Sequence, residues 1–367
     1  MKRTLVGILL FATFTREGGA APVAPYPHST VIRGIDWHWE TYTTAALGSD
    51  LWPVTWGPDG NLYTAWGDGG GFGGSDHDGR VAMGFARIEG TPAHWRGVNI
   101  NGGKNPEHPA SFPHKGKTAG LIFAKGVLYS IVNLQDGTWP DVNHALAWST
   151  NCGATWEMAG WRFSKAEGQF QPAVFLNFGR DGSGAPPSLD GYVYLYGGKH
   201  SPLPQARSRI YLARAPADRV KEQAAYEFFQ GTVSNGQPKW TLPIGPAADQ
   251  AAAVFCDPNN EGIGSVVYSP ALKCYLLASF RGPGQLGVFD APNPWGPWTT
   301  VCYYEDFGGM GAAGEGLLCT FPQKWMSPDG LTVWAIFSVY GGSAKTGIDA
   351  HDRFNLIKAT LQLYPAK

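Results

Sequence analysis

The chain has 367 residues, enough for one large domain or two small ones. Gly (50) and Pro (28) are abundant, aromatics make up 13% and charged residues only 16%, which suits short strands joined by tight turns and excludes a fold of long helices. A net charge of −1 without a basic run lacks the footprint of a nucleic-acid or anionic-membrane binder, so a neutral, hydroxyl-rich ligand fits this surface better.

At the N-terminus, Lys2-Arg3, an apolar run from Leu5 to Phe14 and small residues at Gly18 to Ala21 form the pattern of a secretory signal peptide. Cleavage is expected near Ala20 or Ala21, so 1–21 is read as a leader and the protein as secreted or periplasmic. The apolar run is too short for a stable bilayer anchor, and no later segment reads as transmembrane.

Asp50 to Asp68, DLWPVTWGPDGNLYTAWGD, parses as a β-hairpin. Leu51 to Trp56 and Leu62 to Trp66 are β-prone apolar runs, and Gly57-Pro58-Asp59-Gly60 is turn chemistry. Folded about that turn, Trp56 faces Leu62 and Asp50 is expected opposite Asp68. Two crowded carboxylates destabilise a plain sheet, and a pair whose pKa values are driven apart is how one site holds both an acid and a base. These are the candidate catalytic residues, with solvated strand-end acids as the plain alternative. Trp52 and Trp66 flank the pair and are candidates to stack on a sugar ring. The following GGGFGG lets backbone pass close to a ligand. Asp76 and His77 are candidate substrate contacts; Asp76-His77-Asp78 also carries Ca²⁺-type ligands but lacks a full set, so no metal or cofactor is expected.

From there a unit recurs at intervals of about 60 to 80 residues, the spacing of a radial β array. Its most recognisable strand reads LYTAW at Leu62, LYSIV at Leu128, YVYLY at Tyr192, YLLASF at Tyr275 and VWAIFS at Val333. Each is followed by another strand: RVAMGFARI, HALAWST, SRIYLARA, QLGVFDA and FNLIKATLQL. Ahead of it stand VTWGPDG, IFAKG, FLNFGRDG, VVYSPALK and KWMSPDG. Helical signal is confined to Asp218 to Phe229. The expectation is an all-β, five-bladed β-propeller, a single domain over about 27–367. Ser149 to Trp156 looks like the Asp-box turn of sialidase-type propellers with Asn151 where Asp is usual, and Ser327 to Gly330 is a looser version; both are structural turns.

Asp136 follows the second such strand and is a further candidate substrate contact; Glu167, Glu261 and Glu315 enter at comparable places, where solvated loop acids are the commoner outcome. The cysteines are Cys152, Cys256, Cys274, Cys302 and Cys319, an odd number with no C-x-x-C spacing. Hydrolase-elbow, zincin, P-loop and dinucleotide fingerprints are absent.

The strings DLWPVTWGPDGNLYTAWGDGGGF, GYVYLYGG, RIYLARAPADRV, YEFFQG, VVYSPALKCYLL and FDAPNPWGPWTT resemble, in order, the family catalogued as domain of unknown function 4185 and treated as glycoside hydrolase family 183, the endo-D-arabinanases. The resemblance implies a five-bladed propeller that cuts D-arabinofuranosyl chains, with paired catalytic aspartates falling on Asp50 and Asp68. Its partner would be a polysaccharide, D-arabinan of arabinogalactan or lipoarabinomannan, met by a monomeric protein with no nucleic-acid or membrane partner. Two classes remain open: a secreted endo-acting glycoside hydrolase, on D-arabinan or another glycan, and a carbohydrate-binding propeller without catalysis. The acid pair separates them, since a lectin has no need of two crowded carboxylates.

Overall fold

The computed structural model describes residues 23–109, 112–134, 143–163, 169–199, 208–241, 251–282, 285–310, 316–340 and 349–365. The expected leader, Asp136, Glu167 and Glu315 lie outside them.

The first strand, β1 (Ile32–Ala45), does not open the first repeat. That repeat is β2 (Asp50–Trp56), β3 (Leu62–Gly67), β4 (Met83–Thr91) and β5 (His94–Asn101), an antiparallel meander in chain order. The second is β6 (Gly116–Ala124), β7 (Val127–Leu134), β8 (His144–Ser149) and β9 (Glu157–Met158). In the third, β10 (Phe170–Asn177), β11 (Tyr192–Lys199), β12 (Arg209–Pro216) and β13 (Glu227–Thr232) are extended by β14 (Pro238–Thr241), while β15 (Ala253–Cys256) pairs with β12. The fourth comprises β16 (Gly262–Ser269), β17 (Cys274–Phe280), β18 (Leu286–Ala291) and β19 (Thr299–Tyr304). A short parallel contact, Leu176 to Val266 and Asn177 to Val267, joins β10 to β16. The last holds β20 (Gly316–Thr320), β21 (Thr332–Tyr340) and β22 (Phe354–Leu363), and β1 returns to pair with β22 from Ile32↔Leu363 to Ala45↔Phe354.

The chain is therefore all-β, built of antiparallel meanders. Their first strands contact one another in cyclic order: β2 with β6, β6 with β10, β10 with β16, β16 with β20, and β20 with β2. The second strands are the most apolar because sheet and neighbouring repeats cover both faces; all of Leu62–Gly67 is buried. Trp156, set by the Asn151 turn, packs on Phe85 with ring centroids 4.1 Å apart, filling the seam between the first two repeats. Asn151 Oδ1 accepts the Thr155 N–H (2.9 Å), and the Trp156 indole donates to the Gly153 carbonyl (2.9 Å), as an Asp-box turn requires.

Two expectations are corrected. Asp218 to Phe229 is not helical: it holds a 3-10 turn, Gln223–Ala225, and then enters β13. Phe228 and Phe229 are buried against the sheet, so tertiary packing overrides the helix-favouring stretch before them. In the fifth repeat the first strand is Gly316–Thr320 rather than the run before SPDG, where Gln323–Trp325 forms a 3-10 turn that buries Trp325. All five cysteines are free thiols. Among the described residues no helix is long and apolar enough to cross a membrane.

Candidate active site

The β2–β3 hairpin closes as its turn residues dictate. Asp59 accepts the Asn61 N–H at 3.0 Å and the Tyr63 hydroxyl at 2.8 Å, Gly60 takes φ +89°, and Trp56 pairs with Leu62. Toward the other end the register departs from the simple fold-over. A bulge between Leu51 and Val54 places Asp50 opposite Gly67, not Asp68. Pro53 lacks the N–H a ladder position needs, and Leu51 and Trp52 take φ of +78° and +61°, which non-glycine residues adopt only when their surroundings enforce it.

The enforcing contacts belong to the tryptophans. Trp52 is 1% exposed and Trp66 0%; their rings lie 5.9 Å apart, and their indoles donate to the carbonyls of Ser49 (3.0 Å) and Gly69 (3.3 Å). Neither ring offers a face to a sugar, which corrects their reading as stacking residues. Two adjacent apolar runs needed a core partner, and these rings supply it while tying the loops beside both aspartates.

Asp50 is 7% exposed, and its Oδ1 lies 2.5 Å from where a Cβ on Gly67 would stand. The next residue, Asp68, takes φ +55° and donates its N–H to the Ala82 carbonyl (3.2 Å). Its part-exposed carboxylate is ion-paired with Lys117 at 2.6 Å and Arg80 at 3.3 Å. Lys117 comes from β6, and its Cδ is 2.9 Å from the same Gly67 Cβ position. The bulge and the left-handed turn thus set Asp50 Oδ1 and the stem of the lysine paired with Asp68 against the same side of Gly67, although the aspartates are not cross-strand partners. Only glycine at position 67 leaves room for that convergence.

Asn99, on β5, holds the loop after Asp68. It is 4% exposed, accepts the Phe72 N–H at 3.0 Å and donates to the carbonyls of Phe72 (3.0 Å) and Lys104 (2.8 Å). On the other side, Asp352 reaches in ahead of β22, and its carbonyl accepts the N–H groups of Gly48 (2.7 Å) and Ser49 (3.1 Å), fixing the approach to Asp50. Burial pushes the Asp352 carboxyl above its ordinary pKa; His351 opposes the rise, the Asp76 and Asp68 charges add to it, and Arg80 opposes it. Lys117, Asn99 and Asp352 escaped the sequence reading because no local pattern marks them; each arrives from a distant strand.

The remaining candidates divide. Asp76 is drawn into the cluster by Arg80 at 2.6 Å, whereas His77 is exposed and its backbone N–H donates to Ser75 Oγ. Asp78 pairs with Lys104, so the Asp76-His77-Asp78 acids are tied to separate cations, and among the described residues no group of three ligand-type side chains converges as for a metal. Glu261 stands exposed at the start of β16. A cavity lined by Val54, Trp56, Asn177, Ser265, Thr320 and Gln323 lies toward the opposite ends of the first strands and holds no carboxylate.

The chain is similar to solved structures that include a GH43_1 enzyme from Xanthomonas citri (14% identity, 88% of this chain and 91% of that one, TM-score 0.49). Another is the catalytic domain of the Coprinopsis cinerea GH62 alpha-L-arabinofuranosidase (11%, 92% and 99%, TM-score 0.43). Both likenesses are distant. No curated protein matches the chain. Residues 127–314, a little over half of the chain, match the family model described as domain of unknown function (DUF4185), and the chain belongs to that family.

Proposed function

We propose that this protein is an exported, monomeric glycoside hydrolase on a single five-bladed β-propeller that cleaves internal D-arabinofuranosyl linkages of D-arabinan. The propeller reading is supported by the cyclic contacts of the first strands and by β1 completing the last repeat. The observation that carries the catalytic reading is that Asp50 and the Asp68–Lys117 ion pair flank Gly67 in two unlike settings. Asp68 is ion-paired and suits the nucleophile, or the base that deprotonates a water. Asp50 is nearly buried and suits the acid that protonates the departing glycosidic oxygen. The proton passes from Asp50 to the leaving oxygen as the anomeric C–O bond breaks and the electron pair arriving from Asp68, or from its water, forms the new bond. D-arabinan as substrate rests on the family resemblance of the DLWPVTWGPDGNLYTAWGDGGGF stretch. A purely glycan-binding role is disfavoured by the burial of Trp52 and Trp66, which removes the stacking platform such a role would use.

The test is oligosaccharide release from purified arabinogalactan and a panel of other polysaccharides by wild type, Asp50→Asn and Asp68→Asn. Acid–base assistance alone is worth about 10²–10⁴-fold, so each variant should lose at least that in turnover while remaining folded. Asp68→Asn also gives up two part-exposed ion pairs, worth about 0.2–1 kcal/mol each, so its stability should not rise. Near-wild-type cleavage by either folded variant sinks the mechanism.

A further inference from the structure

We propose that Lys117 is the positioning residue for Asp68. The inference rests on the reading above, that Asp68 is one of the two reacting carboxylates. Its ground is a closed loop of contacts. Asp68 donates its N–H to the Ala82 carbonyl at 3.2 Å, Lys117 Nζ donates to that same carbonyl at 2.9 Å, and Lys117 Nζ pairs with Asp68 Oδ1 at 2.6 Å. One ammonium thereby fixes the Asp68 carboxylate to the residue's own backbone acceptor, and holds it in a left-handed conformation a free aspartate leaves readily. The stem completes the arrangement by crossing Gly67 beside Asp50 Oδ1. Lys117 is 20% exposed and belongs to the next repeat, so the seam between two repeats sets the geometry of a carboxylate carried by one of them.

Arg80 is a poorer candidate. Its side chain is 47% exposed, it lies farther from Asp68 at 3.3 Å, and its shorter contact is to Asp76. The groups that face Asp68 are Lys117 from β6, Arg80 and Asp76 from the β3–β4 loop, and Asp352 ahead of β22, with Asp50 across Gly67. Lys117 is the cation among them in closest contact.

The experiment compares wild type with Lys117→Met, Lys117→Ala, Lys117→Arg and Arg80→Met on the glycan that wild type cleaves. Lys117→Met should lose about 10²-fold in kcat, the cost of misplacing a reacting group by about 1 Å, with KM within a few-fold and the melting temperature nearly held. Lys117→Arg should recover part of kcat, an added primary alkylamine should rescue Lys117→Ala, and Arg80→Met should cost less than Lys117→Met. A folded Lys117→Met with kcat within about threefold of wild type overturns the proposal, as does a loss that tracks melting temperature and recovers with neither arginine nor amine. If wild type cleaves none of the glycans, the proposed activity falls and Lys117 is judged on the Asp68 ¹³Cγ resonance. Its chemical shift should move in Lys117→Met, and an unchanged resonance in the folded variant overturns the positioning role.

Discussion

Replacing Gly67 by alanine adds one carbon at the point where the proposed site is tightest. The new Cβ would stand 2.5 Å from Asp50 Oδ1, 2.9 Å from Lys117 Cδ and 3.0 Å from Leu51 Cδ1. Favourable heavy-atom contacts lie at about 3.5–4.0 Å, so the Asp50 oxygen must retreat by about 1 Å. The backbone itself tolerates alanine, Gly67 being paired strand in register with Asp50. Overpacking of this kind costs about 1–3 kcal/mol, which a large β protein survives. A displacement of about 1 Å in a reacting group costs on the order of 10²-fold in turnover. Gly67→Ala should therefore fold, melt a few degrees lower, and lose about 10²-fold in kcat with KM little changed. The assay is reducing-end release from D-arabinan alongside a melting curve. Wild-type turnover in a folded Gly67→Ala protein would refute the argument that the Asp50 carboxylate acts from the place described.

Three further outcomes follow from the same packing. Trp52→Ala should destabilise by about 3–5 kcal/mol, as for other buried aromatics, read by urea unfolding; a stable variant whose only defect is a raised KM would return Trp52 to sugar stacking. Removal of the chain from Phe354 onward strips β22 from both β1 and β21, leaving two open edges, so the product should be insoluble; a soluble, active truncation would count against β1 completing the last repeat. Asp257→Asn should raise the melting temperature at pH 7. Burial lifts the Asp257 carboxyl above its ordinary pKa, so in the wild type stability is lost as pH rises from the unfolded-state toward the folded-state pKa, and the variant escapes that loss. The advantage should vanish in acid, where the wild-type carboxyl is protonated, and a difference independent of pH would point to the Tyr303 and Asn259 hydrogen bonds instead.

Composition and period alone determined the all-β class and the paired strands of each repeat, because strands buried on both faces must be apolar throughout, as in LYTAWG and CYLLASF. The Asn151 turn and the Gly57–Asn61 turn were equally legible, since each is closed by side chains within a few residues of the backbone they cap. Register toward Asp50 was not. A simple count from the turn sets Asp50 against Asp68, and the Pro53 bulge, whose cost only a packed Trp52 can offset, moves it to Gly67. The same packing turned two candidate sugar platforms into core. Lys117, Asn99 and Asp352 carry no mark in sequence, because what matters about them is a contact made across 49, 27 or about 300 residues of chain. Sequence chose the carboxylates; the tertiary structure decided which backbone they face and which cations hold Asp68.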